Sequence, residues 1–306
     1  MVLNSFELNT LTKLYQPHNP GRRCLSIFMS TVTLICTLIT VSILITIVFY
    51  IVNKGIEQWH WDLFTQLPPS AGMTGGGIAN ALIGTVWVVT IGSTIAFPMG
   101  ILAAIYLAEF GKATPLTQGL RLATLVLSGL PSIIAGVFVY GLLVATGITG
   151  FSAIAGGVAL AVLMLPIVTR FSEEAIRLVP QDLRWGAIAL GASQSQVILG
   201  IVLPAAAPAI LTGILLALSR AVGETAPLLF TALNSSFWPQ GLWEPTPTLS
   251  VLIYYYATSP FAAQKELAWA AAFVLVFSVL ITNLLSRLIL FLAFRSGSIQ
   301  RLRELI

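Results

Sequence analysis

Residues 211–233 read L-T-G-I-L-L-A-L-S-R-A-V-G-E-T-A-P-L-L-F-T-A-L. The stretch is apolar enough to enter a bilayer, yet Arg220 and Glu224 sit near its middle. A charge at the centre of a membrane costs about 2.5–3.5 kcal/mol on insertion scales, and nothing in the flanking residues brings either charge to a membrane surface. On a helix the i,i+4 spacing puts both side chains on one face, roughly 6 Å apart along the axis. That face must look into protein or water. Two readings follow: a buried ion pair that only locks helix packing, or a face that lines a path for something charged.

Composition makes the membrane setting general. The chain has 306 residues, 57% hydrophobic and only 8% charged, against about 25% charged in a soluble domain. A multi-spanning membrane protein is expected. The formal charge of +4 is spread among loops and reads as a topology signal rather than a nucleic-acid surface. Cys24 and Cys36, on one continuous apolar run, cannot bridge each other and are expected to be packing residues. With His18 and His60 as the histidines, no His/Cys metal site is expected. The triplet Gly75–Gly77 lacks the following lysine and hydroxyl of a phosphate-binding P-loop, and no such motif occurs elsewhere. The chain is therefore not expected to hydrolyse ATP, and no serine–histidine–aspartate set or carboxylate dyad suggests other catalysis.

Hydropathy predicts an all-α protein of six transmembrane helices, about Cys24–Val52, Ala81–Ala108, Leu122–Ala145, Phe151–Thr169, Pro204–Leu233 and Leu267–Phe294. The first run is too long for a cleaved signal peptide and reads as a signal anchor. The third contains L-S-G-L-P-S-I-I-A-G (127–136), where Pro131 is expected to kink the helix or mark a cavity. The resulting organisation is a segment 1–23, a membrane domain 24–296 that includes a loop 171–203, and a tail 297–306. One face receives Lys13, Arg22, Arg23, Lys112, Arg121, Arg170, Arg177, Arg184, Arg295, Arg301 and Arg303, with Arg287 snorkelling towards it, and the other only Lys54 and Lys265. By the positive-inside rule both termini and the 171–203 loop are expected in the cytoplasm. Pro180 and Gly191 divide that loop into short helical segments, and Ser193 is placed to cap the second.

The loop carries the spacing G-x(9)-I-x-L-P, from Gly191 to Ile201, Leu203 and Pro204. This resembles the cytoplasmic coupling loop of bacterial ABC importer permeases. The runs G-G-G-I-A-N-A-L-I-G-T (75–85), L-S-G-L-P-S-I-I-A-G (127–136), E-E-A-I-R-L-V-P (173–180), S-R-A-V-G-E-T-A-P-L-L-F-T-A-L (219–233) and S-P-F-A-A-Q-K-E-L-A-W-A (259–270) narrow the match. Over about residues 70–290 the chain is similar to the permease subunits of phosphate ABC importers, within the binding-protein-dependent, MetI-like permease family. The resemblance implies a type I ABC importer permease fold and transport of inorganic phosphate into the cytoplasm. It implies as partners a homologous permease, two ATPase subunits that hold ATP and Mg, and a periplasmic phosphate-binding protein, with no cofactor on this chain.

The resemblance also gives the charges roles. Arg220 suits bidentate contact with an oxyanion, and Glu224 can hold Arg220 between passages. Arg170 and Glu173 form a second candidate pair at the inner end of the fourth span, and Ser132 beside Pro131 is a candidate hydroxyl donor. Glu174 and Arg177 read as a solvated helix face. The loop surface facing the ATPase is expected to involve Arg184, Trp185, Gly186, Ala187, Gly191, Ala192, Leu203 and Pro204. Where the family has Glu-Ala-Ala, this chain has Trp185-Gly186-Ala187, so Arg184, Asp182 or Trp185 is left to make the contact. Sulfate or molybdate permeases share the loop spacing. An ion-gradient-driven anion transporter and a non-transporting signalling partner are the alternatives of a different kind.

Overall fold

The computed structural model describes residues 20–111 and 114–303, with the backbone alone for residues 20, 286 and 289–303. Lys13 and Lys112 of the charge census lie outside the described residues, as does most of the 1–23 segment. Arg295, Arg301 and Arg303 are placed by backbone only.

The chain divides into two units, Met1–Asn53 and Lys54–Ile306. The first holds most of helix α1 (Pro20–Ile56), whose 37 residues extend about 55 Å. Its threonines at 31, 33, 37, 40 and 46 each donate to the carbonyl four residues back at 2.8–2.9 Å. Bonds of this kind let hydroxyls face a lipid environment without leaving a donor unpaired. Cys24 and Cys36 are free and exposed rather than packed.

The second unit is built of α2 (Asp62–Thr65), α3 (Ala79–Ile105), α4 (Pro115–Gly129), α5 (Ser132–Val139), α6 (Ala153–Arg177), α7 (Gln181–Ala189), α8 (Gln194–Val197), α9 (Leu203–Gly223), α10 (Ala226–Thr231), α11 (Leu249–Ala257) and α12 (Ala262–Arg303). Single π-helical turns, Tyr106–Phe110, Tyr140–Val144 and Ile198–Val202, continue α3, continue α5 and lead into α9. All regular structure among the described residues is helical. Among the described residues five helices are long and apolar enough to cross a membrane, and a sixth span arises if the bent pair α4 and α5 is one span. The chain is a multi-pass membrane protein.

At the centre α3 packs along α6. A side chain at Gly100 would come 2.8 Å from Val168 Cγ1, and one at Gly92 3.0 Å from the Gly157 carbonyl. Small residues are what let two backbones approach this closely inside a membrane, where packing rather than water exclusion drives association. Val88, Leu160, Met164 and Val168 fill this seam, joined by Ala217 and Ala221 of α9, Leu228 of α10 and Val251 of α11. A separate cluster of Ala104, Ile176, Val179, Ala187, Val197, Val202 and Ile210 gathers the ends of α3, α6 and α9 around α7 and α8.

Two predicted spans are broken in the structure, both at prolines. The third is two helices bent by 110° at Leu130–Pro131, and its first half begins at Pro115 rather than Leu122. Thr114 caps α4 by accepting from the Thr117 amide at 3.3 Å, and Pro115 follows at its first position. The fifth span is not one helix to Leu233. It stops at Gly223, where Glu224 turns extended (φ −71, ψ 126), and α10 starts anew at Ala226. Pro227 has no N–H to give and its ring would meet the carbonyl four residues earlier, at Gly223. The two breaks adjoin: a side chain at Gly136 of α5 would fall 2.5 Å from Pro227 Cα of α10. The fourth span is longer than predicted, since α6 runs on through Arg170 to Arg177.

Candidate functional site

The break after Gly223 places Arg220 in the last turn of α9 and Glu224 at its cap. Arg220 Nε lies 3.0 Å from Glu224 Oε1, so the pair forms, but across a helix end rather than along a continuous face. The Arg220 side chain is 55% exposed and that of Glu224 only 14%. The negative end of the α9 dipole favours a cation at this position. Glu224 is fixed from behind as well, because its carbonyl accepts from Ser250 Oγ of α11 at 2.8 Å.

Arg220 opens into a cavity of about 280 Å³ bounded by α4, α6 and α9. Its polar lining is Ser128, Arg170, Glu174 and Arg220, and its apolar wall includes Leu127, Leu130, Leu163, Pro166 and Phe171. The volume corresponds to about nine water molecules. Two guanidinium groups from different helices thus face one chamber with a single carboxylate. Arg170 has no hydrogen bond or ion pair among the described residues, leaving its donors open to the chamber. Ser128 Oγ donates to the Thr124 carbonyl at 2.7 Å and must turn to donate elsewhere.

Other expected partners are arranged differently. Glu173 does not pair with Arg170. Its carboxylate meets Arg121 of α4 at 2.9 Å and Arg177 of α6 at 2.7 Å. On α6, residues 170 and 174 share the face towards the chamber, while 173 and 177 turn to the neighbouring face. Glu174, read as solvated from the sequence, is a chamber residue, and Arg177 belongs to the Glu173 pair. Its i,i+4 spacing from Arg170 is the signal that could have found Glu174. Ser132 opens α5 outside the chamber lining, and Ser128, one turn before the break, takes the lining position.

The loop after α6 forms α7 and α8. Gly191 takes φ +87, a conformation open to glycine at no steric cost. Ser193 and Gln196 then make a reciprocal capping box on α8. The residues expected to face an ATPase divide into two sets. Trp185 is 69% exposed, and Leu183, Ile188 and Leu190 are exposed with it; Gly186, Gly191 and Pro204 are exposed too. Ala187 is buried, and Ala192 and Leu203 pack against the same inner cluster. Arg184 also turns inward: its Nη1 lies 2.7 Å from Glu109 Oε1 and its Nη2 donates to the Ile176 carbonyl at 2.7 Å. An inward Arg184 leaves Trp185 and its apolar neighbours as the outer surface of α7.

A helical membrane core, broken helices around a cationic chamber, and a small surface helix clamped between spans define a transport permease. Residues 96–292 match the family described as "Binding-protein-dependent transport system inner membrane component". The chain is 47% identical over 242 residues to the "Phosphate transport system permease protein PstA" of Haemophilus influenzae, covering 79% of this chain and 85% of that protein. It is 44% identical over 246 residues to the protein of the same description from Yersinia pestis, covering 80% and 83%. The fold is similar to a chain in the "Crystal structure of a bacterial ABC transporter involved in the import of the acidic polysaccharide alginate", with a TM-score of 0.59 at 19% identity over 87% of this chain and 98% of that one. The chain belongs to the binding-protein-dependent inner-membrane transport components and, within them, to the PstA permease proteins of phosphate transport systems. It is a membrane subunit of an ABC transport assembly rather than an enzyme.

Proposed function

We propose that the chain is one of two permease subunits through which an ATP-driven importer passes inorganic phosphate across the inner membrane into the cytoplasm. The observation that carries this reading is the chamber in which Arg170 and Arg220 face one another's helix with Glu174 and Ser128 between α4, α6 and α9. Guanidinium groups match tetrahedral oxyanions in geometry and charge. The carboxylates Glu224 and Glu174 weaken the grip, since a path must release what it admits. Glu173 and Ser132 act at the margin of the path, Glu173 through Arg121 of α4.

A homologous PstC-like permease completes the pathway, two PstB-like subunits supply ATP and Mg chemistry, and a PstS-like binding protein delivers phosphate from the periplasm. Both termini and the loop holding α7 and α8 face the cytoplasm. The exposed apolar side of α7, with Trp185 in the place of the family's glutamate, docks on an ATPase. Closure of the ATPases pulls that helix and alternates the access of the chamber.

The test is phosphate uptake into vesicles containing the reconstituted complex and binding protein. Uptake requires ATP, and Arg220→Ala abolishes it while the complex still assembles. Uptake driven by an ion gradient without ATP refutes the reading, and uptake of sulfate or molybdate in preference to phosphate replaces the substrate.

A further inference from the structure

We propose that the Glu109–Arg184 ion pair is a strut that makes α3 move with the surface helix α7, carrying the ATPase stroke to the core by a second route besides chain continuity. The inference rests on the importer reading above. By sequence, α7 is joined to α6 through a short turn and to α9 through α8; α3 has no covalent link to it. Arg184 supplies a non-covalent one. Its guanidinium reaches Glu109 on the π-helical turn that ends α3 and the Ile176 carbonyl near the end of α6, both at 2.7 Å. The side chains of Arg184 and Glu109 are only 13% and 9% exposed.

Stability alone does not explain such a pair. Removing two charges from water offsets most of their attraction, and apolar residues of like size often do as well or better. Here Ala104, Ile176, Val179 and Ala187 already form an apolar cluster that joins the same elements, and Arg184 Nε and Glu109 Oε1 are each buried without a hydrogen-bond partner, the two side chains meeting as an ion pair only. What the ion pair adds over an apolar contact is register, because charged partners fix one geometry where aliphatic side chains slide. The π-helical turn contributes to the same end: an added residue in the turn re-aims the side chains at the end of α3, and Glu109 lies within it. Since α3 packs along α6, and α6 carries Arg170 and Glu174 of the chamber wall, a shift of α7 imposed on α3 reaches the chamber through α6. Glu109 and Arg184 are positioning residues in this scheme and touch neither phosphate nor ATP.

The experiment uses the full complex with its partner permease and ATPases, Cys24 and Cys36 replaced by serine, and spin labels on Leu102→Cys of α3 and Gln181→Cys of α7. Both label sites are exposed. In the otherwise unaltered complex the distance between labels stays the same with and without ATP. In Glu109→Gln it broadens, ATP hydrolysis continues, and phosphate delivered per ATP falls about five-fold or more. A distance that shifts with ATP in the unaltered complex overturns the strut. So does an unchanged phosphate-to-ATP ratio in Glu109→Gln, or transport and hydrolysis falling in proportion. If Glu109→Gln fails to assemble, the distance in the unaltered complex decides. An unaltered complex that hydrolyses ATP without moving phosphate refutes the importer reading itself, a separate outcome from loss of the strut.

Discussion

Removing the carboxylate of Glu173 is expected to loosen one helix and leave the rest of the protein in place. Glu173 is 13% exposed and bonds Arg121 of α4 and Arg177 of its own helix, whose side chains are 45% and 49% exposed. Only the Arg121 arm crosses between helices. Ion pairs with exposed partners contribute about 0.2–1 kcal/mol; a well-buried acceptor at 2.9 Å belongs near the top, about 1 kcal/mol. The Arg177 arm, an i,i+4 pair within α6, is worth about 0.3–0.5 kcal/mol and does not bear on α4. Glu173→Gln therefore raises the population of undocked α4 by about five-fold, at about 1.4 kcal/mol per factor of ten. Hydrogen exchange of the backbone amides of α4 reads this directly, because local opening sets the exchange rate. The acceleration is confined to Pro115–Gly129, is reproduced by Arg121→Ala, and is not additive in the double variant, since both remove the same pair. In about 1 M salt it shrinks, as the screening length falls to about 3 Å. Unchanged exchange in α4, uniform acceleration across the membrane core, or full additivity refutes the reasoning.

Thr85→Val leaves the buried Leu249 amide, which donates to Thr85 Oγ1 at 2.9 Å, without an acceptor; thermal unfolding in detergent should show a loss of about 1–3 kcal/mol. Gly136→Val forces α5 away from the Pro227 backbone, 2.5 Å from the position a side chain would take, and costs about 1–3 kcal/mol by the same assay. Trp185→Ala leaves the melting of the isolated chain within about 0.5 kcal/mol, because the side chain is 69% exposed, while, on the proposed docking, affinity for the ATPase subunit, measured by titration, falls about ten-fold or more.

The membrane class and the surface helix were legible because each follows from local composition: long apolar runs, a basic face, a glycine at positive φ and a serine followed by glutamine. The breaks were less so. Pro98 and Pro166 sit inside unbroken helices, while Pro131 and Pro227 end them. In the broken cases a glycine precedes the proline by two or four residues, in S-G-L-P and G-E-T-A-P; no glycine lies within five residues before Pro98 or Pro166, and Gly200, four residues before Pro204, falls in a π-helical turn rather than a break. Glycine in a helix costs about 1 kcal/mol relative to alanine, so the strain a proline imposes finds a place to yield. Of the ion pairs, Arg220–Glu224 was legible from its i,i+4 spacing, whereas the partners of Glu173 were not. Glu173 has an arginine three residues before it and another four after it, and the sequence offers no reason to choose. The choice is made by α4, which brings Arg121 to the face of α6 that carries 173 and 177.

Arg220 shows what the break changes. On an unbroken span it is a cation stranded in an apolar helix, with Glu224 as its only compensation. At the end of α9 three influences act on it: the carboxylate of Glu224, the unpaired carbonyls of the last turn, and the open chamber shared with Arg170. The first two lower the cost of keeping the charge, and on the proposed path the same two compete with an arriving anion. Arg170 forms no ion pair among the described residues, although Glu174 lines the same chamber. The two arginines are therefore unequal, one free to attract and the other already held. On the proposed path, an anion that reaches both would share Arg220 with Glu224, which limits how tightly the chamber would bind it.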